Sequence, residues 1–289
     1  MKAPRLHDRK GFTLVEMLIV MGMMGLIMAA VYSVYLVHQK TAYSSEEVAE
    51  VQQSLRIAVE NITRDFQMAG MMVPTGTAAV TGGYSNYSTA VSVNTASADG
   101  LYARVTNKAL VSGNTYNLTL EEQKAVDPFA ANDRVRIIRP QTMGQPIDTA
   151  FTVVSVDRNN SILQVSGITS DSIQPGDILA KTTATAAHPN TIEYFLVNAG
   201  TTVNGFTCPS GQRCLARSVN GVQDIIAANL SSLRFSYISG STEETAPSDV
   251  NDVRAVRVTI KGQTSATAVL SGGAKTRQVE TVVKFRNRK

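Results

Sequence analysis

The chain begins with a long apolar stretch that follows a cluster of basic residues. The residues from Met17 to Val37 carry no charge. At about 1.5 Å per residue, a helix of this length spans the ~30 Å hydrocarbon core of a bilayer. Because Lys2, Arg5, Arg9 and Lys10 precede it, we expect the N-terminus to stay in the cytoplasm and the rest of the chain to be exported.

After this stretch the apolar residues are no longer continuous and recur at regular intervals. In residues 44–72 the apolar side chains recur every three or four positions, which is typical of one face of a helix; they are Val48, Val51, Leu55, Ala58, Ile62, Phe66 and Ala69. No proline interrupts the chain before Pro74. The pattern therefore predicts one helix from Phe12 to about Met71. We expect its second half to pack on the protein's own sheet, with a coiled-coil partner as the alternative.

A β pattern follows a connection, residues 75–98, that is rich in Thr, Ser, Ala and Gly. We expect this connection to form a loop with one weak strand. The later segments are short, rich in β-branched or aromatic residues, and bounded by turn residues. The predicted strands are Gly100–Thr106, Thr115–Leu120, Arg134–Ile138, Phe151–Val156, Ile162–Val165, Thr191–Val197, Arg213–Ser218, Ser232–Ile238, Ala255–Ile260 and Val279–Phe285.

Successive strands without intervening helices indicate an antiparallel sheet. The prediction is thus an α+β fold, in which a long N-terminal helix packs on an antiparallel β-sheet headpiece. Residues 12–37 form the transmembrane half of that helix, residues 38–72 its amphipathic continuation, and residues 73–289 the exported headpiece. Two stretches, Ala131–Ile137 and Gln174–Ala180, share a turn–aspartate–strand form. They suggest the hypothesis of a small β insertion at about 127–186.

One carboxylate, Glu16, stands at the start of the apolar run. A carboxylate at the centre of a membrane segment costs roughly 2.5–3.5 kcal/mol on insertion scales, so it calls for a partner. A cut between Gly11 and Phe12 would create an α-amine four residues away, on the same face of the helix. That amine could pair with Glu16 of its own chain or of a neighbour. The alternative is an uncut anchor whose Glu16 reaches the membrane interface.

The stretch Lys10-Gly11-Phe12-Thr13-Leu14-Val15-Glu16 resembles the processing site of type IV pilins and type II secretion pseudopilins. The resemblance implies a leader peptide at residues 1–11, cleavage after Gly11 by a prepilin peptidase and methylation of the Phe12 amine. It also implies that Glu16 meets the amine of an adjacent subunit in a helical filament. The chain departs from many major pilins at Ser33, where they carry proline.

Several later stretches resemble the PilW-like minor pilins. They are Arg64–Gly70, Thr191–Tyr194, Leu215–Arg217, Leu230–Tyr237 and Phe285–Asn287. The GspJ-type pseudopilins share the character of the helix end and are the nearest rival. The resemblance implies a minor pilin that helps to initiate or cap a type IV pilus. Its partners would be other major and minor pilins, the prepilin peptidase and the bacterial inner membrane before assembly, with the pilus or its tip at the cell surface as the final location.

Two alternatives remain open at this point. One is a type II secretion pseudopilin, and the other is a membrane-tethered adhesin or DNA receptor that uses its β loops. The net charge of +4 gives little support for a DNA partner, because the first eleven residues carry three of those charges. The rest of the chain lacks the strong positive field of a non-specific DNA-binding protein. No nucleic acid is therefore expected.

The sequence offers little for catalysis or metal binding. Cys208 and Cys214 lie in the exported part, where disulfides persist, so we expect them to form a structural disulfide. The three histidines are scattered, and no nucleotide-binding, hydrolase or zinc-protease motif is present. We expect neither enzymatic activity nor a metal or cofactor. An acidic loop does not match an EF-hand, so a solvated loop is favoured over a calcium site; its residues are Glu243, Glu244, Asp249 and Asp252.

Overall fold

The computed structural model describes residues 12–73, 78–82, 89–97, 102–140, 151–168, 173–182, 190–264 and 273–286. A helix, α1, spans Leu14–Gln67, and a short 3₁₀ helix spans Gln123–Val126. Within these ranges, sixteen strands follow α1: β1 Val80–Gly82, β2 Val91–Thr95, β3 Tyr102–Ser112, β4 Thr115–Leu120, β5 Arg134–Ile138, β6 Phe151–Asp157, β7 Ile162–Ser166, β8 Ile178–Thr182, β9 Asn190–Val197, β10 Thr202–Val203, β11 Phe206–Thr207, β12 Arg213–Val219, β13 Val222–Ser239, β14 Thr242–Glu244, β15 Val253–Gln263 and β16 Thr276–Lys284.

The predicted α+β class is confirmed, since one long N-terminal helix packs on a large antiparallel sheet. The helix ends at Gln67 rather than at the predicted Met71. Gly70 adopts a positive φ of 74° and donates its N–H to the carbonyl of Asn94 at 2.8 Å. A helix cannot continue through this left-handed residue. The chain therefore turns away from α1 towards β2.

The main sheet has the strand order β1-β2-β9-β12-β13-β15-β16, with β14 paired to β13. Strand β13 joins its two halves, because β12 pairs with the first part of β13 and β15 with the second. The register shifts at Leu230, next to Asn229, which has a φ of 61°. The buried stripe of α1 lies on one face of this sheet and forms the principal core with it.

The six strands from β3 to β8 form a separate closed barrel with the strand order β3-β4-β7-β6-β5-β8. This topology has an internal two-fold symmetry in which β3, β4 and β5 correspond to β6, β7 and β8. The barrel strands begin well before the insertion hypothesised at 127–186. The two stretches with the turn–aspartate–strand form lie side by side, because β5 and β8 are antiparallel neighbours.

The aspartates of these two stretches make reciprocal ion pairs between the neighbouring strands β5 and β8. Asp177, before β8, binds Arg139 at the end of β5 through two hydrogen bonds of 2.9 Å. Asp133, before β5, pairs with Lys181 of β8 at 2.8 Å. Each repeat thus supplies the anion for a cation of the other repeat. The apolar interior of the barrel forms a second core, distinct from the one under α1.

The barrel adjoins the residues that follow the C-terminal end of α1. The Tyr102 hydroxyl donates to the sulfur of Met71 at 3.5 Å. Ala96, Ile138 and Ala180 form a small shared core beside these residues. Since α1 enters the sheet at its other end, the barrel lies on the side of the headpiece away from the apolar half of the helix.

Candidate functional site

The apolar half of α1 makes no packing contact with the rest of the described chain. Every residue from Phe12 to Tyr43 is exposed, and Phe12 itself is 84% exposed. Within the described residues, α1 is the single helix long and apolar enough to cross a membrane. A surface of this size needs lipid or other protein around it.

A capping box begins the helix. Thr13 is the N-cap residue, and its hydroxyl accepts the backbone N–H of Glu16 at 3.3 Å. In return, Oε2 of Glu16 accepts the backbone N–H of Thr13 at 2.9 Å and its hydroxyl at 3.0 Å. The carboxylate therefore satisfies a backbone donor that the first turn of a helix leaves without a partner. Sequence reasoning considered only the amine as a partner of Glu16 and missed this local role.

The second carboxylate oxygen of Glu16, Oε1, takes no part in the capping box. Both bonds from Thr13 go to Oε2, and Oε1 accepts none from the described residues. A carboxylate offers about four acceptor positions in all. Glu16 can thus cap its own helix and still accept a hydrogen bond from an amine. Gly11, the other residue of the predicted cleavage site, lies outside the described residues, as does the whole leader at 1–11.

The second half of α1 is fixed to the sheet near the point where the helix leaves the headpiece. Ser44 is the first buried residue of α1, and its hydroxyl is hydrogen-bonded to Lys275, which precedes β16. Two and three turns further along the helix, Val51 and Leu55 lie directly over Gly262 of β15. A Cβ on Gly262 would be 2.5 Å from a methyl group of Val51. The absent side chain lets helix and strand approach closely at this end.

A buried ionic cluster fixes the other end of α1. Asp65 is fully buried, and its Oδ2 accepts hydrogen bonds from the Tyr194 hydroxyl and from Nε of Arg217, both at 2.6 Å. Tyr194 comes from β9 and Arg217 from β12. The next helical residue, Phe66, packs edge-on against Tyr194, with the ring centres 6.0 Å apart. Helix and sheet are thus joined by both polar and aromatic contacts.

The electrostatics of this cluster depend on burial and on the charge of Asp65. Burial raises the pKa of Tyr194 far above its usual value, and the Asp65 carboxylate raises it further. Burial opposes the charged form of Arg217, but the hydrogen bond to Asp65 and the charge of Asp65 together raise its pKa. The tyrosine therefore stays neutral and the guanidinium stays charged. The cluster is a structural tie between an anion and a cation, with no group poised to exchange a proton.

Four of the five stretches that carried the PilW-like resemblance meet at or beside this cluster. Arg64–Gly70 supplies Asp65, Thr191–Tyr194 supplies the tyrosine and Leu215–Arg217 supplies the arginine. A fourth stretch, Leu230–Tyr237, supplies Phe235, whose ring lies 6.1 Å from that of Phe66. Sequence reasoning noted these stretches separately and did not predict their contact.

The remaining candidate residues are placed as follows. Cys208 and Cys214, the latter in β12, form a disulfide with a Cα–Cα distance of 5.9 Å, and both are buried in a small cluster with Val197 of β9 and Ala216 of β12. Of the four residues of the predicted acidic loop, Glu243 and Glu244 lie in β14 instead, and Glu243 is held by Arg257 at 2.8 Å. Across the described ranges, no three His, Cys, Asp or Glu residues are grouped as a metal site would require. His38 is exposed on α1, and the other two histidines lie outside the described residues.

Comparison with known proteins adds one match. Residues 6–32 match the family described as the prokaryotic N-terminal methylation motif. No curated protein and no solved structure matches the chain. The motif, together with the exposed apolar helix, supports a type IV pilin-like protein or a pseudopilin. This class of protein is structural, is anchored in the membrane by its N-terminal helix and interacts with pilins and a prepilin peptidase.

Proposed function

We propose that this chain is a PilW-like minor pilin that helps to initiate or cap a type IV pilus. The prepilin peptidase cleaves between Gly11 and Phe12, and the new amine of Phe12 is methylated. The mature subunit is stored in the inner membrane through residues 12–37. It then leaves the bilayer and packs its helix against those of neighbouring pilins.

The main support for this proposal is the exposure of the N-terminal half of α1 and the hydrogen bonding of its carboxylate. It is exposed on every side, and its one carboxylate keeps an oxygen available while capping the helix. A plain membrane anchor needs no such carboxylate. In an assembly, an ammonium group from the neighbour's Phe12 can occupy that position. A buried ion pair of this kind serves best as a device that sets register between helices.

The position of the barrel supports a place at the end of the filament. Subunits drawn out of a membrane join a filament at its base, so the first subunit assembled remains at the tip. The barrel of this chain lies on the headpiece side away from the membrane half of α1. In the body of a filament, a barrel at this place would have to share space with the subunit ahead. A tip subunit has no subunit ahead of it.

Filaments sheared from the bacterium that makes this protein provide the test. Intact-mass analysis is expected to find a chain that starts at N-methylated Phe12, and gold-labelled antibodies against the barrel should bind at filament ends. A chain that keeps residues 1–11 in piliated cells would contradict processing. Normal pili combined with a loss of protein secretion on gene deletion would favour the type II secretion pseudopilin instead.

A further inference from the structure

The same three residues, valine, asparagine and glycine, form a tight turn at two places in the headpiece. Val203-Asn204-Gly205 joins β10 to β11, and Val219-Asn220-Gly221 joins β12 to β13. The asparagine and the glycine have φ values of 46° and 79° in the first turn and of 51° and 89° in the second. Positive φ at both central residues defines a type I′ hairpin turn. The chain therefore holds one local sequence in one turn type twice, in two different surroundings.

An asparagine that precedes a glycine can lose its side-chain amide without an enzyme. The glycine backbone nitrogen attacks Cγ of the asparagine and gives up its proton, the bond from Cγ to Nδ2 breaks, and Nδ2 leaves as ammonia. Water then opens the succinimide ring at either carbonyl, which gives aspartate or isoaspartate. Glycine has no side chain to hinder the attack. Because ring closure requires the asparagine ψ to leave its I′ value, the hairpin has to open first.

The hairpin of β10 and β11 has little to hold it closed. The two strands form a sheet of their own with two pairs of residues, and a two-stranded hairpin alone is marginally stable in water. Asn204 and Gly205 are both exposed. Within the described ranges, the one side-chain hydrogen bond of Asn204 runs from Nδ2 to Oδ1 of Asp224, an exposed residue of β13. Local opening of this hairpin is therefore easy.

The hairpin of β12 and β13 is fixed from several sides. Both strands lie inside the main sheet, where β12 also pairs with β9. Asn220 is half-buried, its Oδ1 accepts the backbone N–H of Thr191 at 2.9 Å, and its Nδ2 donates to Oδ1 of Asn190 at 2.7 Å. Asn190 is 1% exposed and also accepts from the hydroxyl of Thr182 at 2.9 Å. The Asn220 side chain cannot turn onto the nitrogen of Gly221 without breaking this network.

We propose that Asn204 is a site of spontaneous deamidation in the folded protein and that the structure protects Asn220 from the same reaction. Opening the first hairpin breaks two pairs of residues and one exposed side-chain hydrogen bond. Opening the second breaks part of the main sheet and two side-chain hydrogen bonds in a largely buried network. From the usual net strength of such bonds, the reaction should be at least about tenfold faster at Asn204 than at Asn220.

The products change the contact between the hairpin and β13. The Asn204 carboxamide donates a hydrogen bond to Asp224, whereas a carboxylate in its place can only accept. Two carboxylates at hydrogen-bonding distance repel each other. Isoaspartate also lengthens the backbone of a turn that fits two residues. Either product should therefore detach the β10–β11 hairpin from β13.

Timed incubation of the full chain in detergent micelles, followed by peptide mass analysis, tests the modification. After reduction of the disulfide, trypsin cleaves at Arg213 and Arg217 and so places Asn204 and Asn220 in different peptides. Fragment masses then show which residue has exchanged an NH₂ for an OH. The control is the same incubation in urea, where the two identical local sequences should react at equal rates. Asn204→Gln should remove the fast reaction from the folded chain.

Hydrogen exchange tests the structural consequence with a second pair of variants. Asn204→Asp reproduces the aspartate product and should speed amide exchange in β10 and β11 about tenfold. Adding Asp224→Asn places a carboxamide opposite the new carboxylate and should bring the exchange back towards the parental rate. Exchange in β12 should stay unchanged in both variants.

Four results would overturn the proposal. Equal rates at Asn204 and Asn220 in the folded chain would remove the selectivity, and a faster reaction at Asn220 would reverse it. Reaction of both residues in urea with neither reacting in the folded chain would show that the I′ turn protects Asn204 as well. Unchanged exchange of β10 and β11 in Asn204→Asp would remove the structural consequence.

Discussion

Replacing Glu16 by alanine should separate storage in the membrane from entry into the filament. The substitution removes a charge from the apolar segment, and it also removes the acceptor of the Thr13 N–H and hydroxyl. Membrane insertion should therefore remain intact, because a segment without the charge is easier to insert. Assembly should fail wherever another subunit lies ahead of this one, because the amine of that neighbouring subunit loses its partner.

Glu16→Ala changes the free energies of membrane insertion, of the helix cap and of the ion pair between subunits. These three changes differ enough in sign or size to be told apart. Removing the carboxylate favours insertion by up to about 2.5–3.5 kcal/mol. Losing a helix cap costs about 0.5–2 kcal/mol. Leaving one charge of a buried pair without its partner costs about 3–5 kcal/mol. At 1.4 kcal/mol per factor of ten, the last term corresponds to more than a hundredfold loss of incorporation.

A competition experiment measures this loss directly. Cells express the parent chain together with Glu16→Ala, and mass spectrometry of the distinguishing peptide gives the ratio of the two chains in membranes and in sheared filaments. The matched control is Thr13→Ala, which removes the cap hydroxyl but keeps the carboxylate. We expect the control to lose about thirtyfold or less, with both variants present in membranes at the parental level.

Two results would refute the reasoning. Equal losses for Thr13→Ala and Glu16→Ala would mean that the cap, and not the charge, governs incorporation. Unchanged incorporation of Glu16→Ala, in filaments where cross-linking places the subunit below the tip, would remove the assembly role of the carboxylate. At the extreme tip the subunit has no neighbour ahead of it, so the cross-linking control decides which case applies.

Three further predictions concern the headpiece of the full chain in detergent. Asp65→Asn should lower the free energy of unfolding by about 3–5 kcal/mol, because it leaves Arg217 buried without a counter-charge; adding Arg217→Met should restore part of the loss in denaturant titrations, and no restoration would contradict the ion-pair explanation. Gly262→Ala should cost about 1–3 kcal/mol through its clash with Val51, and an unchanged denaturation midpoint would show that the helix can shift. Thiol labelling of the denatured, unreduced chain should find neither cysteine free, whereas labelling of both would reject the disulfide.

Much of the fold could be predicted from the sequence because the spacing of its apolar residues is regular. The helix was predicted with an error at its C-terminal end, where the positive φ of Gly70 stops it. All ten predicted strands are present, although Ser232–Ile238 is only the second part of β13. The strands missed were mostly short or polar. They are β10, β11 and β14, together with β1 and β2, for which only one weak strand was expected within residues 75–98, and β8, which was predicted only as the strand part of Gln174–Ala180.

Strand β2 shows why polarity misled the prediction. All five of its residues are buried, including Ser92 and Asn94. The Asn94 side chain donates to the carbonyl of Ala78 at 2.8 Å and accepts from the hydroxyl of Thr191 at 3.0 Å. Burial of a polar side chain costs little once its hydrogen bonds are made. These partners come from distant parts of the chain, so the local pattern does not contain them.

The residues of the candidate site likewise divide into those that the sequence could predict and those that it could not. Glu16 could be predicted because a charge in an apolar run is visible locally, and its bond to Thr13 spans only three residues. Asp65 could not, because its partners Tyr194 and Arg217 lie 129 and 152 residues away along the chain. On a helix with a regular apolar stripe, an aspartate next to a phenylalanine has the sequence pattern of a residue at the solvent boundary.

The uninterrupted part of α1 connects these two sites mechanically. From Ser33 to Gln67 the helix contains neither glycine nor proline, so roughly 50 Å of it has no built-in weak point. Gly22 and Gly25, the two glycines of α1, lie in the membrane half. Because Asp65 fixes the far end of α1 to the sheet, the position that the N-terminal half takes in an assembly also fixes the direction of the headpiece and its barrel. Bending at the two glycines can adapt the membrane half to its neighbours without changing that direction.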